Sequence, residues 1–247
     1  MALLKDQLAA QGSTMFRWRG FLPLALILPA LIALPQSGGF EDLFGAWVEA
    51  IWDGLCLAIS LAGLFLRAFT VATAAPRTSG RNTTEQRADS LNTTGLYSVV
   101  RNPLYLGNIV TLIGFLLAVK VWWLPILILP LAVAYYERIV LAEEAYLVEK
   151  FGGTYAAWAR VTPAYFPDIS LWKPPALSFS LPIAVRREYH GFYLIVVTLT
   201  LIEALTDIIG EGQTPLGWGY ENPFWVYLFG TGTVAYLILR VLRKRTS

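Results

Sequence analysis

The stretch GLYSVVRNPLYLGN, residues 95–108, decides the fold that this sequence predicts, because polar side chains here meet the start of an apolar run. Pro103 lacks a backbone N–H and has a fixed φ, so it is tolerated in the first turn of a helix. Asn102 before it is biased toward extended backbone. We therefore expect a membrane helix to begin near Pro103. The polar residues either line a cavity at the helix start or only cap it, with Tyr97 and Tyr105 as interfacial anchors.

The composition of the chain indicates an integral membrane protein. The 247 residues are 56% hydrophobic and 15% charged, with a mean hydropathy of +0.54, whereas soluble domains are about a quarter charged. The expected fold is all-α, with about six transmembrane helices and a central helical hairpin whose two arms meet at Lys120. The six apolar blocks that predict these helices are 21–34, 46–66, 104–119, 121–136, 192–210 and 224–242.

The distribution of charge predicts which side of the membrane the polar segments face. With six membrane helices, both termini lie on one side together with nearly all lysines and arginines, and Lys120 lies on the other. Positively charged loops stay in the cytoplasm. We therefore expect a multi-pass protein whose termini and two long polar segments, 75–103 and 137–190, are cytoplasmic. Any chemistry should be built from these two segments.

The residue inventory excludes several kinds of site. One cysteine and one histidine allow neither a disulfide framework nor a multi-histidine metal site. The sequence also has no phosphate-binding glycine loop, no nucleophile elbow and no dinucleotide fingerprint. We expect no metal site and no nucleic-acid partner.

The second polar segment carries a pair of adjacent carboxylates, Glu143 and Glu144, flanked by apolar residues. The pair is either a solvated surface feature or part of a polar site. Gly152 and Gly153 should break the helix that carries the pair, because glycine disfavours helix interiors.

Two further carboxylates, Glu203 and Asp207, lie one turn apart in the fifth apolar block. Ionisable groups inside a membrane are costly and suggest a functional role. For Glu203, a structural bond to a neighbouring helix and a role in substrate access are both open.

Taken together, the two polar segments resemble the membrane-embedded methyltransferases that include isoprenylcysteine carboxyl methyltransferases and phospholipid methyltransferases. The resemblance covers about residues 75–167. The positions that correspond to the family pattern are Gly95, Tyr97, Arg101-Asn102-Pro103, Tyr105, Gly107, Glu143-Glu144, Phe151-Gly152, Tyr155, Pro163 and Pro167, and all but Asn102 carry the family residue.

The resemblance implies that S-adenosylmethionine binds in a cytoplasmic pocket formed by these segments. The positions it assigns to the cofactor are Asn82, Asp89, Ser90, Leu91, Asn92, Tyr97, Asn102, Pro103, Leu104, Tyr105 and Glu143. The chain departs from the family pattern at Asn102, where the family has a histidine, so a proton shuttle through an imidazole is excluded at this position. Arg138 lies one position away from the family arginine that holds a substrate carboxylate.

The expected reaction is methyl transfer from the sulfonium of the cofactor to an oxygen or nitrogen on a membrane lipid or a lipidated substrate. An anionic oxygen needs only an arginine to hold it, and Arg138 and Arg101 are the candidates. An amine must first lose a proton, for which Glu144 is the candidate base. These residue types favour O-methylation over N-methylation.

Two other classes of function remain open at this point. A membrane reductase of the steroid 5α-reductase type would use NADPH, and a transporter or scaffold would bind neither cofactor. Along the chain, we expect an N-terminal two-span region (1–74), a methyltransferase core (75–167) and a C-terminal two-span extension (168–247).

Overall fold

A computed structural model describes residues 4–18, 27–75 and 90–245, and this part of the chain is helical apart from turns and one isolated bridge between Gly95 and Lys173. The π-helical turn Thr206–Gly210 follows directly on the helix Leu181–Leu205. The α-helices are α1 (Leu4–Trp18), α2 (Ile27–Ala33), α3 (Phe40–Phe44), α4 (Ala46–Thr73), α5 (Leu96–Val99), α6 (Pro103–Ala118), α7 (Trp123–Val161), α8 (Leu181–Leu205), α9 (Pro215–Glu221) and α10 (Pro223–Arg245).

The predicted membrane character is confirmed by the length and composition of the helices. Four described segments are long and apolar enough to cross a bilayer: Ala46–Thr73, Trp123–Val161, Leu181–Gly210 and Pro223–Arg243. Helix α6 is apolar but shorter, at 16 residues, which corresponds to about 24 Å of helix. The first predicted block, 21–34, lies partly outside the described residues.

Local sequence signals account for several helix boundaries. Helix α6 begins at Pro103, as expected from the missing N–H of proline. The glycine pair breaks α7 at Gly152, whose φ of 52° and ψ of −127° are not helical. Helix α7 continues past the fourth apolar block, as expected for the polar segment that follows it, so that one long element carries both the second arm of the hairpin and the Glu143-Glu144 pair. The turn between α6 and α7 places Lys120 at φ 62°, a conformation that is uncommon for a side chain with a Cβ.

The chain divides into two compact units, each built from separated stretches of sequence. The first unit takes its described residues from 1–25, 66–106 and 130–184, and the second from 26–65, 107–129 and 185–247. The division into regions 1–74, 75–167 and 168–247 that the sequence suggests remains a prediction.

Small residues let the helices of the second unit approach closely. A Cβ at Gly63 of α4 would lie 2.5 Å from the carbonyl oxygen of Gly107 and from the backbone nitrogen of Thr111, both in α6. The Thr111 hydroxyl donates to the carbonyl oxygen of Ser60 at 3.2 Å. Close backbone approach at small residues is the usual way in which membrane helices associate. The α4–α6 contact therefore depends on Gly63.

We expect Gly63→Ala to lower the free energy of unfolding by about 1–3 kcal/mol, because the added methyl group must displace backbone atoms of α6. Gly54, on the same helix, has open space within 4 Å of the position that a methyl group would occupy, so Gly54→Ala is the matched control, with an expected change within about 0.5 kcal/mol. Unfolding in mixed detergent, followed by circular dichroism, measures both. Equal stability of the two variants would contradict the close contact.

Candidate active site

In the first unit, the start of α6 lies beside the middle of α7. The Tyr105 hydroxyl donates to Glu143 Oε1 at 2.9 Å, and the rings of Tyr105 and Tyr136 are 5.0 Å apart. The two residues joined by this hydrogen bond are 38 positions apart in the sequence. Glu143 therefore faces the polar mouth predicted around Asn102 and Tyr105, and the pair with Glu144 is not simply a solvated surface feature.

The surroundings of Glu143 are aromatic. Burial, together with the nearby Glu143 carboxylate, raises the pKa of Tyr97 above its ordinary value. The Tyr97 phenol is therefore neutral at physiological pH. A carboxylate combined with aromatic rings is suited to a sulfonium or ammonium cation, because both the charge and the ring faces attract it.

The second carboxylate of the pair has a different partner. Glu144 Oε1 lies 2.5 Å from Arg101 Nη1, and the two side chains are only 22% and 19% exposed, respectively. A partly buried ion pair of this kind neutralises both groups and holds the guanidinium in one orientation. The two adjacent glutamates thus have different partners: Glu143 contacts phenol groups, and Glu144 contacts a guanidinium group.

The segment that follows α7 returns to the start of α6. The Arg101 amide donates to the carbonyl oxygen of Pro163 at 2.8 Å, and the Asp168 amide donates to that of Val99 at 2.9 Å. The Asn102 side-chain amide donates to the carbonyl oxygen of Ala164 at 3.0 Å. The asparagine that replaces the family histidine is therefore engaged in fastening residues 163–168.

We expect Asn102→Ala to loosen this segment without unfolding the protein. Removing one amide donor from a partly buried backbone carbonyl costs about 1 kcal/mol. Hydrogen exchange should become roughly fivefold faster at the amide of Asp168. Peptides from α8 serve as the internal control and should exchange as in the wild type. Unchanged protection at Asp168 would show that Asn102 does not fasten the segment.

Aromatic residues in the last turns of α7 and just after it complete the surroundings of the Arg101–Glu144 pair. Tyr155 is 3% exposed, and its ring lies 5.5 Å from that of Trp158. Burial, with contributions from Glu137 and Glu144, raises the pKa of Tyr165 to about 12. Trp158 and Tyr165 were not predicted as site residues. The available signal was that both residues follow the glycine break and lie within residues 75–167, the part of the chain that the resemblance covers.

The structure does not bring all predicted site residues together. Arg138 Nε donates to Gln11 Oε1 at 3.2 Å, and its Nη1 donates to the carbonyl oxygen of Ala134 at 2.6 Å, so its described bonds join α7 to α1 and to its own preceding turn. Pro103 is buried and Leu104 half-buried at the start of α6. Ser90 is exposed, while Leu91 and Asn92 are half-buried. Asn82 and Asp89 lie outside the described residues.

The second unit contains a separate cluster of charged residues around Lys120. Its ammonium lies 2.5 Å from Glu49 Oε1, 3.3 Å from Asp53 Oδ1 and 3.2 Å from Glu203 Oε2, and the lysine side chain is 1% exposed. Asp207, one turn after Glu203, accepts a hydrogen bond from the Asn222 side chain at 3.1 Å. For Glu203, this geometry favours the structural alternative left open by the sequence. The sequence did not predict that Lys120 pairs with these carboxylates, because no acidic residue lies within four positions of it along the chain.

Comparison with known proteins identifies the family. The sequence model of the phospholipid methyltransferase family matches residues 55–154. The chain is 30% identical over 166 residues to the cobalt-zinc-cadmium resistance protein CzcN of Cupriavidus metallidurans, covering 64% of this chain and 74% of that protein. The chain belongs to the phospholipid methyltransferase family.

A second relative of this phospholipid methyltransferase family member is the nickel-cobalt-cadmium resistance protein NccN of Alcaligenes xylosoxydans xylosoxydans. It is 33% identical over 161 residues, which cover 61% of this chain and 73% of that protein. No solved structure matches the chain. The family match spans Tyr97, Arg101, Tyr105 and the Glu143-Glu144 pair, and it confirms the resemblance inferred from those residues.

Proposed function

We propose that this protein is an S-adenosylmethionine-dependent methyltransferase that acts on the polar head of a membrane lipid or of a lipidated substrate. The observation that carries the proposal is the pairing of the two family motifs in the first unit: Tyr105 bonds to Glu143, and Arg101 bonds to Glu144. We further propose that the site faces the cytoplasm, because most lysines and arginines lie in the predicted loops on that side.

Glu143 is the residue that would hold the cationic end of the cofactor. The carboxylate, the Tyr105 hydroxyl and the neutral Tyr97 phenol fit a group that carries positive charge and apolar carbon together. S-adenosylmethionine, when bound, supplies a methyl group on a positively charged sulfur. The protein contributes by holding an acceptor in line with that methyl group, and alignment alone accounts for a large part of such catalysis.

The acceptor atom in this proposal is an oxygen. An amine acceptor would need a base, but the carboxylate of Glu144 is paired with Arg101 at 2.5 Å. The phenols of Tyr97 and Tyr165 have raised pKa values, with that of Tyr165 at about 12, so they stay protonated at physiological pH. An anionic oxygen needs no base. Of the two arginines proposed to hold it, Arg101 lies at the site, whereas the bonds of Arg138 run to α1 and its own helix.

Calorimetry on purified, folded protein in detergent tests the assignment. We expect binding of S-adenosylmethionine and of its demethylated product, S-adenosylhomocysteine. Binding of NADPH instead would favour a reductase, and binding of neither at millimolar concentration would favour a transporter or scaffold. Incubation with labelled methyl donor and extracted lipids then identifies the acceptor: a carboxyl methyl ester releases volatile methanol in mild base, whereas a label on nitrogen is retained. Mass spectrometry identifies a phosphate methyl ester.

A further inference from the structure

Two N–H groups at the candidate site are buried and have no hydrogen-bond partner among the described residues. They are Arg101 Nε and Trp158 Nε1. Buried donors are almost always paired in folded proteins, because an unpaired donor loses its bonds to water without replacement. Where two such donors occur at one site, they indicate an acceptor group that binds there.

The two donors border the same side chain. Arg101 and Glu144 both lie beside the hydroxyl of Tyr155, and the Tyr155 ring is 5.5 Å from the Trp158 ring. Arg101 is held from its other edge by Glu144, through Nη1 at 2.5 Å. The backbone of the same arginine is fastened to Pro163 at 2.8 Å. The Nε edge of the guanidinium is thus held in one orientation, and its N–H is buried without a hydrogen-bond partner among the described residues.

The chemistry of the donors defines the class of ligand. Indole N–H only donates, and a guanidinium only donates, so the missing partner is an acceptor. Guanidinium groups match the planar or tetrahedral oxygens of carboxylates and phosphates. Resting on the proposed function, we infer that Arg101 Nε and Trp158 Nε1 bind an anionic oxygen of a carboxylate or phosphate group.

Two molecules at this site bring such an oxygen. The cofactor has a carboxylate on its amino-acid end, and the acceptor has a phosphate or carboxylate on its head. In the first case the donor pair fixes the cofactor. In the second it aims the acceptor and determines which headgroups are methylated. Trp158 is a cofactor-binding residue in the first case and a specificity-determining residue in the second.

The test uses variants of the full-length protein that remove the donors and little else. Trp158→Phe keeps an aromatic ring but removes the N–H, and Arg101→Lys keeps the charge beside Glu144 but removes Nε. Trp172→Phe is the matched control, because Trp172 is an exposed indole of the same unit that packs on Phe69. Thermal unfolding midpoints within a few degrees of the wild type show that each variant is folded.

Four probes are measured by calorimetry: S-adenosylhomocysteine, its decarboxylated analogue, dihexanoylphosphatidate and uncharged dihexanoylglycerol. If the donors hold the cofactor, Trp158→Phe binds S-adenosylhomocysteine about tenfold more weakly, while the decarboxylated analogue binds as in the wild type. If they hold the acceptor, the phosphatidate alone weakens about tenfold. Trp172→Phe should match the wild type with all four.

Other results overturn the inference. If the wild type binds each charged probe no more tightly than its uncharged counterpart, the site binds no anionic oxygen. This comparison uses the wild type alone, so it holds even if every variant fails to fold. Affinities of Trp158→Phe and Arg101→Lys within twofold of the wild type for both charged probes would show that water satisfies the two donors. These failures leave the proposed function intact if S-adenosylhomocysteine binds. If the wild type does not bind S-adenosylhomocysteine at all, the proposed function itself is rejected.

Discussion

Replacing Glu143 with alanine should reduce the affinity for S-adenosylmethionine by at least about 100-fold, because removing one partner of a desolvated charge pair costs about 3 kcal/mol or more. The Glu143 carboxylate bonds to Tyr105 and lies near Tyr97. Its loss removes the negative charge that would face the cationic cofactor. Calorimetry with S-adenosylmethionine measures the effect on folded protein.

Glu149 provides the matched control for this experiment. It lies on the same helix, six residues further on, and its side chain is exposed. We expect Glu149→Ala to bind the cofactor within twofold of the wild type. Equal losses in the two variants would mean that Glu143 contributes only to a charged surface. Glu143→Gln separates charge from shape, since it keeps an acceptor for the Tyr105 hydroxyl and should still lose most of the affinity.

Replacing Lys120 with methionine should destabilise the protein by about 3–5 kcal/mol, the cost typical of leaving buried charges without their partner. The ammonium of Lys120 is within 3.3 Å of carboxylate oxygens from Glu49, Asp53 and Glu203. Methionine has a similar length but no charge, so three carboxylates would face one another in an apolar region. Unfolding in mixed detergent measures the change in free energy.

Lys150→Met is the control for the lysine replacement. Lys150 is exposed on α7. Among the described residues, its ammonium contacts the hydroxyl and ring of Tyr146 and the ring of Phe151. We expect its replacement to change stability by no more than about 0.5 kcal/mol. Adding Glu49→Gln and Glu203→Gln to Lys120→Met should restore part of the loss, because the repulsion is removed. A Lys120→Met variant as stable as the control would show that the cluster is hydrated rather than buried.

Much of the local architecture was predictable from the sequence, because proline, glycine and apolar blocks act on their own neighbourhoods. Pro103 begins α6 and Gly152 interrupts α7, both as expected. The order and spacing of the motif residues were enough to indicate the methyltransferase family, since they lie largely within the segment 55–154 that the family model matches.

The partners of the charged residues were decided only by the tertiary structure. Arg101 and Glu144 are 43 positions apart, and Lys120 is 71 positions from Glu49 and 83 from Glu203. Sequence patterns report on neighbours within a turn or two of helix, whereas an ion pair forms wherever packing brings opposite charges out of water together. The sequence thus determined which residues belong to the two motifs. Packing alone decided that Arg101 pairs with Glu144, that Arg138 forms a hydrogen bond with α1, and that Lys120 forms ion pairs with three carboxylates.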